Sequence, residues 1–207
     1  MARPVRLQFE GAFYHVINRG NGRSSIFADD SDRLKFLETL AAVQNKTGLI
    51  LYAFVLMSNH YHLLVETPDA NLSRAIQLLN GSYAQYYSRR HKKPGHVFQG
   101  RFKALLVEKE AYLLELTRYI HLNPVRAKVI EKPEEYRWSS LSAYLTGNAS
   151  FPCETQWEWI LSIFGKNRKR AATRYREFVR EGTGNKTDAY SSAKGGWLWG
   201  LGSDLDN

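Results

Sequence analysis

The sequence has a single cysteine, Cys153, among its 207 residues. One cysteine excludes an internal disulfide and a metal site built from several thiolates. The sequence also lacks any apolar run near the roughly 20 residues that a membrane-spanning helix needs. Its first residues lack the apolar segment of a signal peptide. We therefore expect a soluble cytoplasmic protein with no membrane partner.

Acidic residues are scarce relative to basic ones. The chain has 20 Asp and Glu residues against 29 Lys and Arg residues, a net charge of +9 with a pI near 9.6. This excess predicts a polyanionic partner, with nucleic acid as the first candidate. The alternative is a basic charge that serves solubility alone. Hydrophobic residues make up 43% of the chain, which is enough for a packed core and argues against global disorder.

The order of predicted elements indicates an α+β fold. Four strands are predicted on β-forming or apolar runs between turn signals: residues 13–18, 49–57, 60–66 and 102–107. Between them, one helix follows the candidate N-caps Asp29, Asp30, Ser31 and Asp32 and ends near Gly48, and a second follows Asn71 and ends near Pro94. The resulting βαββαβ order is the ferredoxin-like arrangement, which forms a two-layer sandwich.

Further helices are predicted after the fourth strand. The first runs from about Ala111 through Asn123, where Pro124 disfavours helical geometry in the residue before it and predicts a helix break. The others form a C-terminal helical extension: residues 157–164 and a basic stretch at 166–180. The tail from residue 183 is rich in Gly, Ser and Lys, and we expect it to be flexible.

The most informative motif is His60-Tyr61-His62, which follows the apolar run 49–57. In a strand, side chains alternate between faces, so both imidazoles are expected on one face and the Tyr61 ring on the other. Two neutral imidazoles on one face form half of a divalent-metal site. Ordinary packed or exposed histidines are the alternative.

The helix after the fourth strand offers partners for this pair. Tyr119 and Asn123 are four residues apart and share a face with Glu115. Over the histidine-bearing face of the sheet, they would bring a phenol and an amide oxygen to the imidazoles. Such a donor set leaves positions open for phosphate oxygens and suits Mg²⁺ or Mn²⁺, with the phenol as a candidate nucleophile. In the alternative interpretation, Tyr119 is a packed aromatic and Asn123 only ends the helix.

Four segments of the chain resemble one protein family. They are residues 58–65 (SNHYHLLV), 118–127 (RYIHLNPVRA), 13–21 (FYHVINRGN) and 97–103 (VFQGRFK). They are similar to the REP-associated tyrosine transposases, relatives of the single-strand transposases of small insertion sequences within the HUH nuclease superfamily. The resemblance implies an HUH catalytic domain over 1–145, a basic helical extension over 146–182 and a tail over 183–207.

The resemblance also implies roles for individual residues. His60, His62 and Asn123 match the metal ligands, and Tyr119 matches the catalytic tyrosine. The family cuts single-stranded DNA with this tyrosine and stays linked to the 5′ phosphate. The implied cofactor is therefore Mg²⁺ or Mn²⁺, and the implied partners are single-stranded and hairpin DNA of palindromic repeats. A monomer and a homodimer both remain open, and the protein would be nucleoid-associated when bound to DNA.

Candidate DNA contacts are basic residues interleaved with an aromatic ring, a pattern typical of single-strand binding. In this pattern they are Arg89, Arg90, Lys92, Lys93, Phe98, Arg101 and Lys103. Arg19 and Asn21 near the first strand are candidates for contact with base edges, with a turn built on Gly20 and Gly22 as the alternative, and Arg126 is a further candidate. The basic helix at 166–180 is a candidate for holding a hairpin stem, or else is a solvated face. His15 and His121 lack ligand spacing and are expected to pack nearby. Two rival functions are a host-adopted repeat-binding protein without cleavage and an RNA-binding ferredoxin-like domain with incidental histidines.

Overall fold

The structure, a computed structural model, describes residues 8–107, 110–148 and 150–183. Its strands are Ala12–Arg19 (β1), Ile50–Leu56 (β2), His60–Thr67 (β3) and Lys103–Val107 (β4). Its helices are Asp30–Thr47 (α1), Leu72–Arg90 (α2), Glu110–Arg126 (α3), Leu141–Thr146 (α4), Trp157–Ser162 (α5) and Arg168–Glu181 (α6). The expected flexible tail lies outside the described residues beyond residue 183.

The four strands form one antiparallel sheet in the order β2-β3-β1-β4. With α1 between β1 and β2, and α2 between β3 and β4, the chain has the predicted βαββαβ connectivity. Of the four candidate N-caps, Asp29 caps α1, since its side chain accepts a hydrogen bond from the backbone of Asp32. Asn71 precedes α2, but its side chain donates instead to the carbonyl of Thr47.

Helices cover both faces of the sheet. On one face, the rings of Tyr14 and Tyr61 and their strand neighbours pack with α1 and α2 in one hydrophobic cluster. On the other face, Tyr52 and Leu64 pack with α3 and with the three C-terminal helices in a second cluster. The predicted two-layer sandwich is therefore present, and α3 with the C-terminal helices adds a third layer over the opposite face.

The predicted strand at 49–57 is buried on both faces although β2 lies at the edge of the sheet. The chain just before α4 covers this edge. The backbone N–H of Leu56 donates to Trp138, and that of Ser140 donates to Phe54. Covering an edge in this way blocks pairing with another chain.

The expected helix break at Asn123 is wrong. Helix α3 continues through Pro124 to Arg126. A proline lacks only its own backbone donor, and the turn beyond it closes through Ala127, whose N–H donates to the carbonyl of Asn123. Asn123 therefore remains on the helix, one turn after Tyr119.

In the described part of the chain, no helix is both long enough and apolar enough to cross a membrane.

Candidate active site

The β3 strand places both imidazoles of the His60-Tyr61-His62 motif on the face that α3 covers. Tyr61 points to the opposite layer, where its hydroxyl donates to Asn80 on α2. His62 is 4% exposed and His60 is partly buried. Burial lowers the pKa of both histidines below the ordinary value, and for His62 the neighbouring imidazoles of His15 and His60 lower it further. Both rings are therefore neutral at pH 7, with one ring nitrogen able to bind a cation.

The two histidines converge on Asn123. The Nε2 atom of His60 lies 3.3 Å from Oδ1 of Asn123, and the Nε2 atom of His62 lies 3.4 Å from Nδ2 of the same amide. Helix α3 and strand β3 thus bring together three side chains that are about 60 residues apart in sequence. The sequence-predicted ligand set forms one cluster.

Asn59 fixes the orientation of His60. Its amide Nδ2 donates to the carbonyl of Arg23 at 3.2 Å, so its Oδ1 is the atom that faces His60 Nδ1, at 2.7 Å. An amide oxygen only accepts, so the proton of His60 lies on Nδ1 and its Nε2 carries a lone pair. That lone pair faces the Asn123 oxygen, which is also an acceptor.

These three donors fit a divalent metal ion. A cation between His60 Nε2 and Asn123 Oδ1 would bind both atoms and remove the repulsion between their lone pairs. Two ligands about 2.1 Å from an octahedral ion lie about 3.0 Å apart, close to the spacing seen here. Among the described residues, no group of three His, Cys, Asp or Glu side chains is placed to hold a metal ion, so the amide is essential to this set.

Tyr119 borders the histidine pair. Its ring centroid lies 5.6 Å from that of His62 and 6.0 Å from that of His15. The guanidinium carbon of Arg126 lies 5.0 Å from the centre of the Tyr119 ring. A phenol, a cation and the candidate ligands are therefore within one site. Glu115, expected on the same helix face, is ion-paired with Arg118.

Three of the predicted DNA contacts lie around this site. Arg19 is directly opposite His60 in the pairing of β1 with β3, so the two side chains share a face. Lys103 is opposite Ile17, which in turn is opposite His62, so Lys103 is exposed on the same face. Arg126 approaches from α3. The site is thus flanked by positive charge from both the sheet and the helix.

The basic residues at the end of α2 differ in how they are placed. Arg89 and Lys92 are exposed, and the Lys93 ammonium lies 5.9 Å from the centre of the Tyr87 ring. Arg90 forms ion pairs of 2.7 Å with Asp29 and 2.5 Å with the buried Asp32. The guanidinium of Arg90 therefore links α2 to the start of α1. The sequence did not predict these ion pairs.

The predicted base-stacking role of Phe98 is wrong, because its ring is in the hydrophobic core. Phe98 is 9% exposed, and its ring centroid lies 6.3 Å from Tyr61 and 6.4 Å from Tyr83. Its backbone forms a bridge with Gly20, which holds the segment along the end of β1. Exposed side chains of this region include Asn21, Gln99 and Arg101, and Gln99 accepts a 2.5 Å hydrogen bond from Arg19.

Two residues that support the site were not identified from the sequence. Asn59 holds His60, and Asn80 holds Tyr61 on the far side of β3. The one sequence signal for Asn59 is its position directly before the His60-Tyr61-His62 motif. Nothing local marks Asn80, because its partner is 19 residues away. His15, expected to pack nearby, lies with its Nε2 2.9 Å from Nδ1 of His62.

Comparison with solved structures shows a similar fold in a REP-associated tyrosine transposase bound to a REP hairpin. It is 16% identical with a TM-score of 0.59, over 76% of this chain and 93% of that one. A transposase described as putative from Deinococcus radiodurans is 24% identical with a TM-score of 0.41, over 57% and 95% of the two chains. A tRNA(His) guanylyltransferase from Saccharomyces cerevisiae is 10% identical with a TM-score of 0.42, over 88% and 82%.

No curated protein matches the chain. The family model described as "Transposase IS200 like" matches residues 8–123, more than half of the chain, and this match spans β1 to α3 with all four site residues. The protein therefore belongs to the IS200-like transposase family, whose members are DNA-cleaving and DNA-joining enzymes.

Proposed function

We propose that this transposase cuts single-stranded DNA with Tyr119 beside a divalent metal ion held by His60, His62 and Asn123. The observation that carries the proposal is the convergence of both histidine Nε2 atoms on the Asn123 amide. The ring of Tyr119 lies next to the same histidines. A divalent metal is general in this family, and we propose Mg²⁺ or Mn²⁺ because the set combines two imidazoles with an amide oxygen.

In the proposed reaction, the Tyr119 oxygen attacks the scissile phosphorus and forms a P–O bond, while the bond to the 3′ oxygen breaks. The phenol loses its proton, and the leaving 3′ oxygen gains one. The 5′ phosphate stays on Tyr119 as an ester, so a 3′-OH can rejoin the strand by the reverse displacement without ATP. The metal, when bound, polarises the phosphoryl oxygen and stabilises the charge that develops there.

The residues around the site position the strand. Arg19 and Lys103 lie on the sheet face that carries the histidines, and Arg126 lies over the Tyr119 ring. Positive groups placed here neutralise the phosphates on either side of the cut and hold the backbone for in-line attack. Asn21 and Arg101 are exposed beside them and are proposed as further contacts to the strand. Arg89 and Lys92, exposed at the end of α2, and the partly buried Lys93 are proposed as further phosphate contacts.

We further propose a palindromic repeat that folds into a hairpin as the substrate. The similar transposase described above was solved with a REP hairpin. In this chain, the exposed basic side chains of α6 supply a second positive surface suited to the phosphates of a duplex stem. They are Arg168, Lys169, Arg170 and Arg174. A contact of this kind fixes the position of the hairpin and does not read its sequence.

The test is a covalent adduct. The protein is incubated with a hairpin that carries a single-stranded foot, and the mixture is run on a denaturing gel with Mn²⁺ or with chelator. We expect an adduct with Mn²⁺, none in chelator, and none from Tyr119→Phe, while Tyr86→Phe behaves as wild type. DNA binding by Tyr119→Phe should remain nearly intact. Undiminished cleavage in chelator would overturn the metal site, and wild-type protein that binds the hairpin without any adduct would indicate a binding protein.

A further inference from the structure

His15 is a buried histidine in direct contact with one of the proposed ligands. It is 1% exposed, and its Nε2 lies 2.9 Å from Nδ1 of His62. The two rings are nearly parallel, with centroids 5.0 Å apart and an interplanar angle of 24°. The register of the sheet accounts for this contact: His62 is opposite Ile17, and His15 is two residues before Ile17 on the same face.

A hydrogen bond between two neutral imidazoles contains one proton, which belongs to one ring or the other. If His62 Nδ1 carries it, then His62 Nε2 has a lone pair directed at Asn123. If His15 Nε2 carries it, then the proton of His62 lies on Nε2 and blocks that atom as a ligand. The identity of the donor in this buried pair therefore decides whether His62 is able to bind a cation.

The proposed metal site distinguishes these two arrangements. His62 Nε2 lies 3.4 Å from the Asn123 amide, on the side where the cation would bind. A cation bound at Nε2 requires a lone pair on that atom, so the His62 proton would lie on Nδ1 and His15 would accept it. His60 follows the same pattern, because its Nδ1 is held by Asn59. Both histidines would thus have an acceptor at Nδ1 and an Nε2 lone pair directed at the same amide.

We propose that His15 is a positioning residue that accepts the Nδ1 proton of His62 and so keeps His62 Nε2 available to a divalent cation. The inference rests on the proposed function for its consequence in metal binding, and it extends the site to the first strand of the sheet. Metal-bound histidines commonly donate their second N–H to an acceptor such as a carboxylate, a backbone carbonyl or water, and loss of that acceptor typically weakens metal binding by about 10–100-fold.

The first measurement is the tautomer of His62 in metal-free protein. A long-range ¹H–¹⁵N spectrum reports which ring nitrogen carries the proton, with resonances assigned by comparison with His62→Gln and His60→Gln. We expect the proton on Nδ1 of His62 in wild type. A proton on Nε2 would overturn the proposal. Because no metal is present, this result judges His15 separately from the proposed metal site.

The second measurement is Mn²⁺ affinity, obtained by electron paramagnetic resonance of unbound Mn²⁺ in titrations of folded protein. We expect His15→Leu, which removes the acceptor, to weaken binding by about 10–100-fold. His15→Gln, whose amide oxygen accepts the same proton, should stay much closer to wild type. Tyr83→Phe, which removes a buried hydrogen bond in the opposite layer, is the control for general destabilisation. Equal Mn²⁺ affinity in wild type and His15→Leu would overturn the proposal, and wild type that binds no Mn²⁺ would overturn the metal site alone.

Discussion

The Nδ1 atom of His121 lies 2.8 Å from the hydroxyl of Tyr175, and this buried hydrogen bond joins α3 to α6. The other ring nitrogen of His121 lies 2.8 Å from the hydroxyl of Ser140. Tyr175 also stacks on Tyr144, with ring centroids 4.7 Å apart. The C-terminal helix is therefore part of the core that supports the helix carrying Tyr119, in addition to presenting a basic surface.

This contact predicts that Tyr175 is essential to the fold. Tyr175→Ala should lower the free energy of unfolding by about 3–5 kcal/mol, because it opens a cavity among buried aromatic rings. Tyr175→Phe should cost about 1–2 kcal/mol, since the hydrogen bonds of its hydroxyl with His121 and Thr117 are lost while the ring is kept. Urea unfolding followed by circular dichroism measures both. Equal stability of Tyr175→Ala and wild type would show that α6 does not pack on α3.

Stability should fall in mild acid. Burial lowers the pKa of His121 to about 3, whereas the unfolded chain has the ordinary value near 6.5. Below pH 6.5, His121 therefore binds a proton in the unfolded state but not in the folded state. The contribution of neutral His121 to folding stability is present at neutral pH and is lost as the pH falls. At pH 5 the loss is about 2 kcal/mol for this residue.

The comparison for this prediction is the slope of stability against pH between 7 and 5, measured by urea unfolding. His121→Phe should have a smaller slope than wild type, whatever its absolute stability. An unchanged slope in His121→Phe would mean that His121 takes up its proton in the folded protein.

The pattern of the sequence was sufficient for the fold and for the convergence of the site. The βαββαβ order is confirmed, since it depends on local periods and turn signals. His60 and His62 share a face because strands alternate, and Tyr119 and Asn123 share one because they are one helical turn apart. These are short-range rules. They bring the four residues together because α3 packs on the sheet face that carries both histidines.

Other features depend on contacts between distant segments, which no local pattern records. Phe98 lies in a short segment flanked by basic residues in the sequence, yet this segment pairs with Gly20 and directs the ring into the core. Arg90 is bound to acids about 60 residues away. Pro124 disfavours a helix locally, but the packing of Ile120 and Leu122 keeps α3 continuous.

Phe98 provides a test of its assignment to the core. Phe98→Ala should lower the free energy of unfolding by about 3 kcal/mol, the cost of emptying a buried aromatic site. Phe98→Leu should be milder and should bind single-stranded DNA with wild-type affinity per folded molecule. Unfolding curves and fluorescence anisotropy measure the two effects. A loss of DNA affinity in stably folded Phe98→Leu would restore the stacking role.

A higher Mn²⁺ concentration should compensate in part for the loss of the Asn123 side chain. Asn123→Ala removes an oxygen ligand but leaves both imidazoles, so we expect weaker metal binding that is partly rescued by more Mn²⁺, which accepts imidazole ligands more readily than Mg²⁺ does. Cleavage rates across a Mn²⁺ titration measure this. His60→Ala and His62→Ala should each remain inactive throughout the titration. Rescue of these two variants, with none for Asn123→Ala, would contradict the assigned ligand set.

The α6 surface should contribute to hairpin binding through phosphates. Lys169→Gln with Arg170→Gln should reduce the slope of log affinity against log salt by about 2 in magnitude, because two phosphate contacts are lost. Hairpin binding should weaken more than binding of an unstructured oligonucleotide, and the preferred foot sequence should not change. Arg180→Gln is the control, since its guanidinium is already bound to Glu134 at 2.7 Å. Equal losses for both DNA forms would exclude α6 as the stem site.

The most direct test of the central claim is to identify the residue that becomes linked to DNA. The adduct formed with Mn²⁺ is digested with protease and nuclease, and the peptides are sequenced by mass spectrometry. We predict a nucleotide attached through its 5′ phosphate to Tyr119, in the peptide that also contains Asn123. Attachment to Tyr112, Tyr86 or any other residue would contradict the proposed mechanism.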